Sequence, residues 1–214
     1  LNRNAQGVRP SVLRRAAALI EARDLFVTGS REEAREAARA MIARGAEVVC
    51  VGGGDGTFIQ AAGDLLAEAA IAGCDPPMLL PLRLGSGNAI ADVAGASANS
   101  ARGLREDLAR ASRGGAGRVL RLLRVDEQPA HFAGAGMDAK LNEDFRDLIK
   151  QGIGRGRFGR VFHGLPGIVL SLVARTIPRL ILDPPLRARV VNTGSHASRL
   201  GPDGLPSGAP FPEG

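Results

Sequence analysis

The sequence predicts an α/β fold that opens with a parallel sheet covered by helices on both faces. Stretches with helical spacing of apolar residues alternate along the first half with short runs of apolar, often β-branched residues. This alternation is typical of parallel sheets built from strand–helix–strand units. In addition, two of the predicted strands run into glycine-rich segments, at the strand ends where such sheets bind their ligands.

Capping residues mark the boundaries of several elements. Ser11 is a candidate N-cap for the first helix, and Ser30 with Glu33 forms the Ser-x-x-Glu pattern of a capping box. Gly45 follows the second helix at the position where glycine commonly ends helices. These signals and the periodicity predict helices at 11–23, 30–44, 58–70, 89–93 and 101–112, and strands at 25–27, 47–51 and 78–82.

The pattern changes near Gly114-Gly115, where we place a domain boundary. Residues 1–116 form the predicted parallel-sheet domain, and residues 117–214 form part of a second, β-rich domain. There we expect a helix at 139–150, strands at 119–125, 131–133, 180–182 and 186–191, and a Pro/Gly-rich loop from residue 201. Leu1-Asn2 has the character of a strand end, so we expect the chain to be a fragment of a longer protein.

The composition limits the class of protein. Hydrophobic residues make up 44% of the chain, enough for a folded core, whereas aromatic residues make up 3% with no Trp or Tyr. Single-stranded nucleic acid is bound on exposed aromatic rings, so we expect no nucleic-acid partner. The net charge of +6 is almost entirely arginine. It fits a surface that meets phosphates or an anionic membrane, and equally the arginine-rich usage of a GC-rich genome.

The cysteine and hydropathy patterns fit a cytoplasmic protein that is soluble or peripherally bound to a membrane. Cys50 and Cys74 form neither a disulfide framework nor a metal-ligand spacing, as expected in a reducing compartment. Cys50 lies in an apolar run and is interpreted as a small buried hydrophobe. The longest apolar stretch, residues 168–174, is far short of the ~20 residues that span a bilayer.

The segment Gly52-Gly53-Gly54-Asp55-Gly56-Thr57 carries most of the functional information. It follows a buried strand and leads into a helix. Successive glycines let the backbone approach a phosphate closely, and the N–H groups and dipole of the next helix favour an anion there. Asp55 then fits a role in holding Mg²⁺, orienting a hydroxyl or transferring a proton, and Thr57 can cap the helix or donate to a phosphate. The alternative is a glycine turn that binds nothing.

A second glycine segment, Gly85-Ser86-Gly87-Asn88, follows the next predicted strand. Alone it indicates no more than a turn. Because the carboxyl ends of neighbouring parallel strands share one edge of a sheet, the two segments together predict one crevice, with Asn2 and Asn4 as a third edge.

Four motifs resemble, in order and spacing, those of the diacylglycerol kinase catalytic domain, a family shared by bacterial lipid kinases, sphingosine kinases and ceramide kinases. Gly53-Gly54-Asp55-Gly56-Thr57 resembles its nucleotide-binding signature, and Gly85–Ala89 its second glycine motif, in the variant of sphingosine and ceramide kinases. Asn2–Ala5 is similar to the first motif, and Phe132–Ala139 to the third. The resemblance covers about residues 1–140.

The resemblance implies a lipid kinase in which ATP and substrate meet between an α/β nucleotide-binding domain and an antiparallel β domain. Asp55 would be catalytic, near the metal or the transferred phosphoryl group, and Asp138 would lie beside the lipid headgroup. The implied cofactors are ATP and Mg²⁺, with ATP bound by Asn2, Gly53, Gly54, Asp55, Gly56, Thr57, Gly85, Ser86, Gly87 and Asn88. The implied partner is diacylglycerol or a sphingoid- or ceramide-type lipid at an anionic membrane surface. The sequence determines neither the metal ligands nor the oligomeric state.

Several positions depart from the motifs of the family. Arg3 and Arg83 stand where the family usually has Pro, and Ala89 replaces an Asp common in bacterial members. A further catalytic Asp-Gly segment of the family has only a weak counterpart in Asp203-Gly204. The general base therefore lies there, lies beyond Gly214, or is missing. The last case predicts a non-catalytic nucleotide- or lipid-binding homologue.

Other classes of protein fit the sequence less well. NAD kinase shares the Gly-Gly-Asp-Gly loop but has an Asn-Thr-Asp-type second motif. A Rossmann dehydrogenase fails because Gly-x-Gly-x-x-Gly does not follow the first strand, and a P-loop NTPase because no Gly-Lys-Ser/Thr follows the loop. A nucleic-acid binder would rest on the charge alone.

The segment 158–179 mixes arginines with apolar residues. It has two interpretations, a membrane-facing lip where a lipid enters or a half-buried helix that packs on the second domain. Arg155, Arg157 and Arg160 would strengthen contact with anionic lipid in the first case.

Overall fold

The structure is a computed structural model of the chain. It describes residues 1–114, 117–125, 128–134, 136–150, 162, 165–184, 187, 199–200 and 206–207. Internal contacts divide the chain into two compact units, Leu1–Ala133, called the first unit below, and Gly134–Gly214, called the second unit. The division into domains 1–116 and 117–214 stays a prediction.

The first unit alternates helices and strands, as the sequence predicts. Its helices are α1 (Pro10–Ala17), α2 (Arg31–Ala43), α3 (Asp55–Ala72), α4 (Ala89–Val93) and α5 (Ala101–Arg113), with a 3₁₀ turn at Ala22–Asp24. Its strands are β1 (Val48–Gly53), β2 (Met78–Arg83), β3 (Leu123–Val125) and β4 (Gln128–Ala130).

Strands β1 and β2 form a parallel pair, from Val48 opposite Met78 to Gly53 opposite Arg83. On the other side of β1, the Asn2 N–H donates to the Gly52 carbonyl oxygen at 2.8 Å. Asn2 also forms a parallel bridge with Thr28. The predicted parallel α/β arrangement is therefore confirmed. The strand expected at 25–27 is wrong, since the bridge lies one residue further on, at Thr28.

Helices cover both faces of the parallel pair. Val49 and Val51 of β1 pack into a buried cluster with α2 and α3, which also contains Phe58 and Leu65. The intervening residue, Cys50, faces a second cluster formed with α1 and α5. This alternation follows from the two-residue period of a strand. Cys50 is half-buried, and burial raises the pKa of its thiol to about 11, so the side chain stays neutral at physiological pH.

The capping signals were right for α2 and wrong for α1. Ser30 Oγ accepts the Glu33 N–H at 3.1 Å, and Gly45 has a φ of +67° just beyond the helix. By contrast, α1 begins at Pro10, so Ser11 lies inside the helix and is not its N-cap. Proline is suited to the first helical position because its φ is already helical and it lacks the N–H that would be unpaired there.

The hairpin at the end of the first unit is shifted from its predicted position. β3 and β4 pair antiparallel, with Leu123 opposite Ala130. The strand expected at 119–125 is formed only over its last three residues, and the strand expected at 131–133 is wrong because the second strand lies at Gln128–Ala130. All three residues of β3 are exposed, and Pro129 lies in β4, which a two-stranded edge tolerates.

The second unit is helical over most of its described residues. α6 (Met137–Phe145) continues into a π turn at Arg146–Lys150, which confirms the predicted helix. α7 (Leu165–Ser171), a π turn at Leu172–Thr176 and α8 (Ile177–Leu182) follow one another without a break. The strand predicted at 180–182 is wrong because a short apolar run fits a helix equally well. A short antiparallel pair, β5 (Arg199–Leu200) with β6 (Pro206–Ser207), completes the described elements.

The continuous helix Leu165–Leu182 is the one helix among the described residues that is long and apolar enough to cross a bilayer, with a mean hydropathy of 1.6. It exceeds the apolar run 168–174 identified in the sequence because isolated polar residues interrupt that run without ending the helix. The segments 152–160 and 188–191 and Asp203-Gly204 lie outside the described residues.

Asp144 ties α6 to this helix. Its side chain is fully buried, and it accepts hydrogen bonds from Thr176 Oγ1 at 2.9 Å and from Arg179 Nη1 at 2.6 Å. The guanidinium group of Arg175 lies 3.8 Å away. A buried carboxylate is tolerated because these donors replace its water.

We expect Asp144→Asn to lower the free energy of unfolding by about 1–3 kcal/mol, because an amide gives up the charge that binds Arg179 and leaves part of the cluster unpaired. Chemical denaturation followed by circular dichroism measures the change. Glu143→Gln, at the exposed neighbouring position, is the matched control and should be nearly neutral. Equal losses in the two variants would contradict the role of Asp144.

Candidate functional site

The two glycine segments meet at the carboxyl edge of the parallel pair. Gly54 alone connects β1 to α3, and residues 84–88 connect β2 to α4. A Cβ atom placed on Gly85 would lie 2.1 Å from the Cα atom of Gly54. The backbones of the two segments are therefore in contact, and a side chain at position 85 would force them apart.

Asp55 bridges these segments through its carboxylate. Its Oδ2 atom accepts the Ala89 N–H at 3.1 Å, and its Oδ1 atom accepts the Ile90 N–H at 2.9 Å. Both donors belong to the first turn of α4, where a negative charge is favoured. Asp55 is also the first residue of α3, so one side chain joins the starts of two helices. Its catalytic role stays a prediction.

Asn88 closes the second glycine segment on itself. Its Oδ1 atom accepts the Gly85 N–H at 3.0 Å, and its Nδ2 atom donates to the Gly85 carbonyl at 3.1 Å. Ser86 Oγ donates to Gln6 Oε1 at 2.6 Å. Gly87 lies against Asp55, because a Cβ there would be 3.1 Å from Oδ2. These contacts set the shape of the loop.

Asn2 reaches the first segment through Thr57. Its Nδ2 atom donates to Thr57 Oγ1 at 3.0 Å, and its Oδ1 atom accepts the Asn4 N–H at 3.0 Å. Thr57 lies in the first turn of α3 and does not cap it. Since its oxygen accepts from Asn2, its hydroxyl proton is directed elsewhere and can be donated. A Cβ on Gly53 would lie 2.5 Å from Thr57 Cβ, so glycine is needed there.

The N-terminus of α3 has the properties of an anion site. The N-cap residue is Gly54, so among the described residues no N-cap side chain binds the N–H groups of the first turn. The missing Cβ of Gly56 faces open space, with no atom within 4 Å. The helix is 18 residues long, and its dipole adds to the favourable field. These features fit a phosphate group.

The Thr28-Gly29-Ser30 turn belongs to the same edge, which the sequence analysis missed. Asn4 Nδ2 donates to the Gly29 carbonyl at 2.7 Å, and the Gly29 N–H donates to Glu33 Oε2 at 2.6 Å. With Asn2 and Thr57, the turn lines a cavity of about 260 Å³, whose other lining residues include Val49, Val51 and Leu65. The available signal was a glycine two residues after an apolar run, similar to the pattern that marks the other two segments.

Each of the three departures from the motifs has a physical explanation. Arg3 forms two hydrogen bonds with Glu33, at 2.8 and 2.9 Å, and its own N–H donates to the Thr28 carbonyl, a bond that proline cannot make. Arg83 forms an ion pair with Asp92 of α4. Ala89 keeps the backbone donor that Asp55 uses.

Asp138 lies apart from these residues along the chain, in the second unit. It is exposed and occupies the first turn of α6. The other predicted site residues belong to the first unit, where they occupy the three segments described above. No group of three or more His, Cys, Asp or Glu side chains with metal-binding geometry occurs in the described part of the chain.

A comparison with protein-family models assigns residues 2–116 to the diacylglycerol kinase catalytic domain. Because this match covers more than half of the chain, the protein belongs to that family. The match includes three of the four motifs, and the resemblance of Phe132–Ala139 stays a prediction. The activity typical of the family is that of a kinase. Searches of curated proteins and of solved structures found no match.

We expect Gly85→Ala to lower the free energy of unfolding by about 1–3 kcal/mol, because the new Cβ meets the Gly54 backbone, which cannot move aside freely. Gly56→Ala is the matched control: its Cβ enters open space, and alanine favours the helix by up to about 1 kcal/mol. Chemical denaturation of both variants checks this. A neutral Gly85→Ala would show that the two segments are not in contact.

Proposed function

We propose that this protein is an ATP-dependent lipid kinase that transfers the γ-phosphate to a hydroxyl group of diacylglycerol or of a sphingoid- or ceramide-type lipid. The observation that carries the proposal is the uncapped start of α3 beside the contact of Gly54 and Gly85, in a chain of the diacylglycerol kinase catalytic family. Such a start binds phosphate, and two glycine segments in contact allow the backbone to surround it.

Different residues of the first unit would contact different parts of ATP. The N–H groups of residues 55–57 would donate to phosphate oxygens, and Thr57 would add its hydroxyl, positioned by Asn2. The second segment, shaped by Asn88, would bound the phosphates on the other side. The cavity of about 260 Å³ offers room for part of the nucleotide. ATP with Mg²⁺ supplies the transferable phosphoryl group and the cation that offsets its charge.

Asp55 is the carboxylate that would meet Mg²⁺ at this site. Magnesium in phosphotransferases is commonly held by one or two carboxylates together with substrate phosphates, rather than by a cage of protein ligands. The absence of a metal-binding cluster among the described residues is compatible with this mode. Asp55 would also act as a positioning residue, because it holds α4 through two N–H groups.

The acceptor lipid would be bound by residues 117–214, which we propose to be part of a β-rich, mainly antiparallel domain in the whole protein. Asp138 would contact the headgroup from its exposed position on α6. Since the substrate is a lipid, the protein would work in the cytoplasm at the surface of an anionic membrane. The net charge of +6 favours that surface.

The decisive experiment is transfer from γ-labelled ATP with Mg²⁺ to diacylglycerol, sphingosine and ceramide in mixed micelles. We expect a labelled lipid product that is lost in Asp55→Asn, because the amide has only one oxygen for the two N–H donors and no charge for Mg²⁺. Asp75→Asn, at an exposed position outside the site, is the matched control and should keep full activity.

Two other outcomes would replace the proposal. ATP binding without any labelled product would favour a non-catalytic homologue, or a chain whose general base lies outside these residues. Phosphate transfer to NAD, with NAD and ATP both bound, would identify an NAD kinase.

We further expect Gly56→Ala to weaken ATP binding by about tenfold or more, because the methyl group would occupy the space that the phosphate uses. The same variant should keep or raise its thermal stability, so a loss of binding cannot be ascribed to unfolding. Isothermal titration calorimetry with ATP and Mg²⁺ measures the affinity. Unchanged affinity would place the phosphates elsewhere.

A further inference from the structure

The helix Leu165–Leu182 buries small and polar side chains and exposes apolar ones, the reverse of a helix that packs on the core of a water-soluble protein. Its fully buried positions are Gly167, Ser171 and Thr176, all small or polar. Most of its large apolar side chains are exposed, including Leu165 at 72%, Val173 at 61% and Ile181 at 77%, whereas Leu170 and Leu172 are half-buried. Only 17% of the helix is buried. In water an amphipathic helix buries its apolar stripe. The exposed apolar face of this helix is therefore suited to an apolar environment rather than to water.

Small residues at a helix contact are typical of helices surrounded by lipid. There the apolar side chains gain nothing by leaving the lipid, and association depends on close backbone approach and on hydrogen bonds between helices. Gly167 lies close to α6, because a Cβ there would be 2.9 Å from the Phe145 ring. Thr176 forms a hydrogen bond between the helices, to Asp144.

The π turn keeps the polar positions on one face. Ser171 and Thr176 are five residues apart, a spacing that an α-helix would place on different faces and that an i→i+5 turn aligns. Arg179 follows three residues later on the same side and reaches Asp144. The turn therefore separates an inner, polar face from an outer, apolar one.

Asp144 also pairs with both charged side chains of the helix. Arg175 and Arg179 are the only ionisable side chains between Leu165 and Leu182. Both lie against the buried carboxylate of Asp144, at 3.8 and 2.6 Å. Charged side chains of lipid-embedded helices are paired on the protein side in this way.

The other residues of the second unit indicate which lipid the helix Leu165–Leu182 would contact and how the helix would be oriented. Residues 134–214 contain eleven basic and seven acidic side chains, an excess that favours an anionic surface. α6, to which the helix is tied, exposes Asp138, Asn142 and Glu143 and so must stay in water. A helix tied along its length to a polar one can lie in the membrane interface but cannot cross the bilayer.

We propose that Leu165–Leu182 lies in the interface of an anionic lipid bilayer, with its exposed apolar side chains towards the acyl chains and α6 towards water. Asp144 is the internal counter-ion that keeps both arginines on the water side. This proposal rests on the proposed function, which names an anionic membrane as the surface where the protein works. It adds which helix of the chain contacts that membrane. Its test requires neither ATP nor acceptor lipid, so either proposal can fail without the other.

The chain has no Trp and no Tyr, so one introduced Trp is the only strong fluorophore. With vesicles of phosphatidylcholine and phosphatidylserine, we expect Ile181→Trp to show a blue-shifted emission that brominated acyl chains quench. Ile71→Trp, at an 80% exposed apolar position on α3, is the matched control and should show neither effect. Absence of both effects at position 181 would overturn the proposal.

Vesicle flotation tests the energetics of the same face. The double variant Val173→Asp, Ile181→Asp should lose vesicle binding by about tenfold or more for each substitution, because each moves an exposed apolar side chain out of the lipid. Ile71→Asp should bind like the unaltered chain. Both positions of the double variant are exposed, and circular dichroism verifies that the fold is kept. Equal binding of the two variants would refute the assignment.

Two further outcomes would also overturn it. Resistance of the bound protein to an alkaline carbonate wash would mean that the helix crosses the bilayer. A blue shift of Ile181→Trp without vesicles, growing with protein concentration, would mean that a second copy of the chain covers this face.

Discussion

The carboxylate of Asp55 holds together the edge on which the candidate site is built. It accepts two N–H groups from the start of α4 while its own backbone begins α3. This arrangement is possible because β1 and β2 are parallel neighbours and because Gly54 and Gly85 carry no side chains at their point of contact. The N–H groups at the start of α3 are left without a side-chain cap, and they are the groups that suit a phosphate. The geometry of the candidate site thus depends on the Asp55 carboxylate and on the contact between Gly54 and Gly85.

The same edge shows how a chain can depart from its family's motifs without losing their geometry. Where proline is usual at position 3, Arg3 binds Glu33, and its N–H adds a bond to Thr28. Since Glu33 also accepts the Gly29 N–H, this ion pair is joined to a turn that lines the cavity. Exposed ion pairs contribute little to stability, so their effect here is to position the turn. The motif that contains Arg3 can keep its function only if the contacts of Arg3 hold the backbone in the position that proline usually gives it.

The two units use opposite rules for burial. In the first unit, Val49, Phe58 and Leu65 are buried between helices and sheet. In the second unit, the helix Leu165–Leu182 buries Ser171 and Thr176 and exposes most of its large apolar side chains. Sequence periodicity finds a helix in both cases but does not indicate which side faces the protein, because the two sides are distinguished only by what they contact. For this reason the sequence alone leaves this segment open to two interpretations.

The sequence by itself determined the class of the fold, the order of the elements in the first unit, the capping of α2 and the motifs of the candidate site, because these follow from local signals. Ser30, Gly45 and the glycine segments act on residues within one or two turns of themselves. It did not determine the position of the hairpin β3–β4 or the helical state of residues 180–182, where short apolar runs fit either structure. Only the tertiary structure decided that Asp55 binds the start of α4 and that Asn2 donates to Thr57. It also decided that Asp144 forms ion pairs with Arg175 and Arg179. Each of these contacts joins residues far apart in the chain, and no spacing or period in the sequence specifies which distant donors and acceptors will meet.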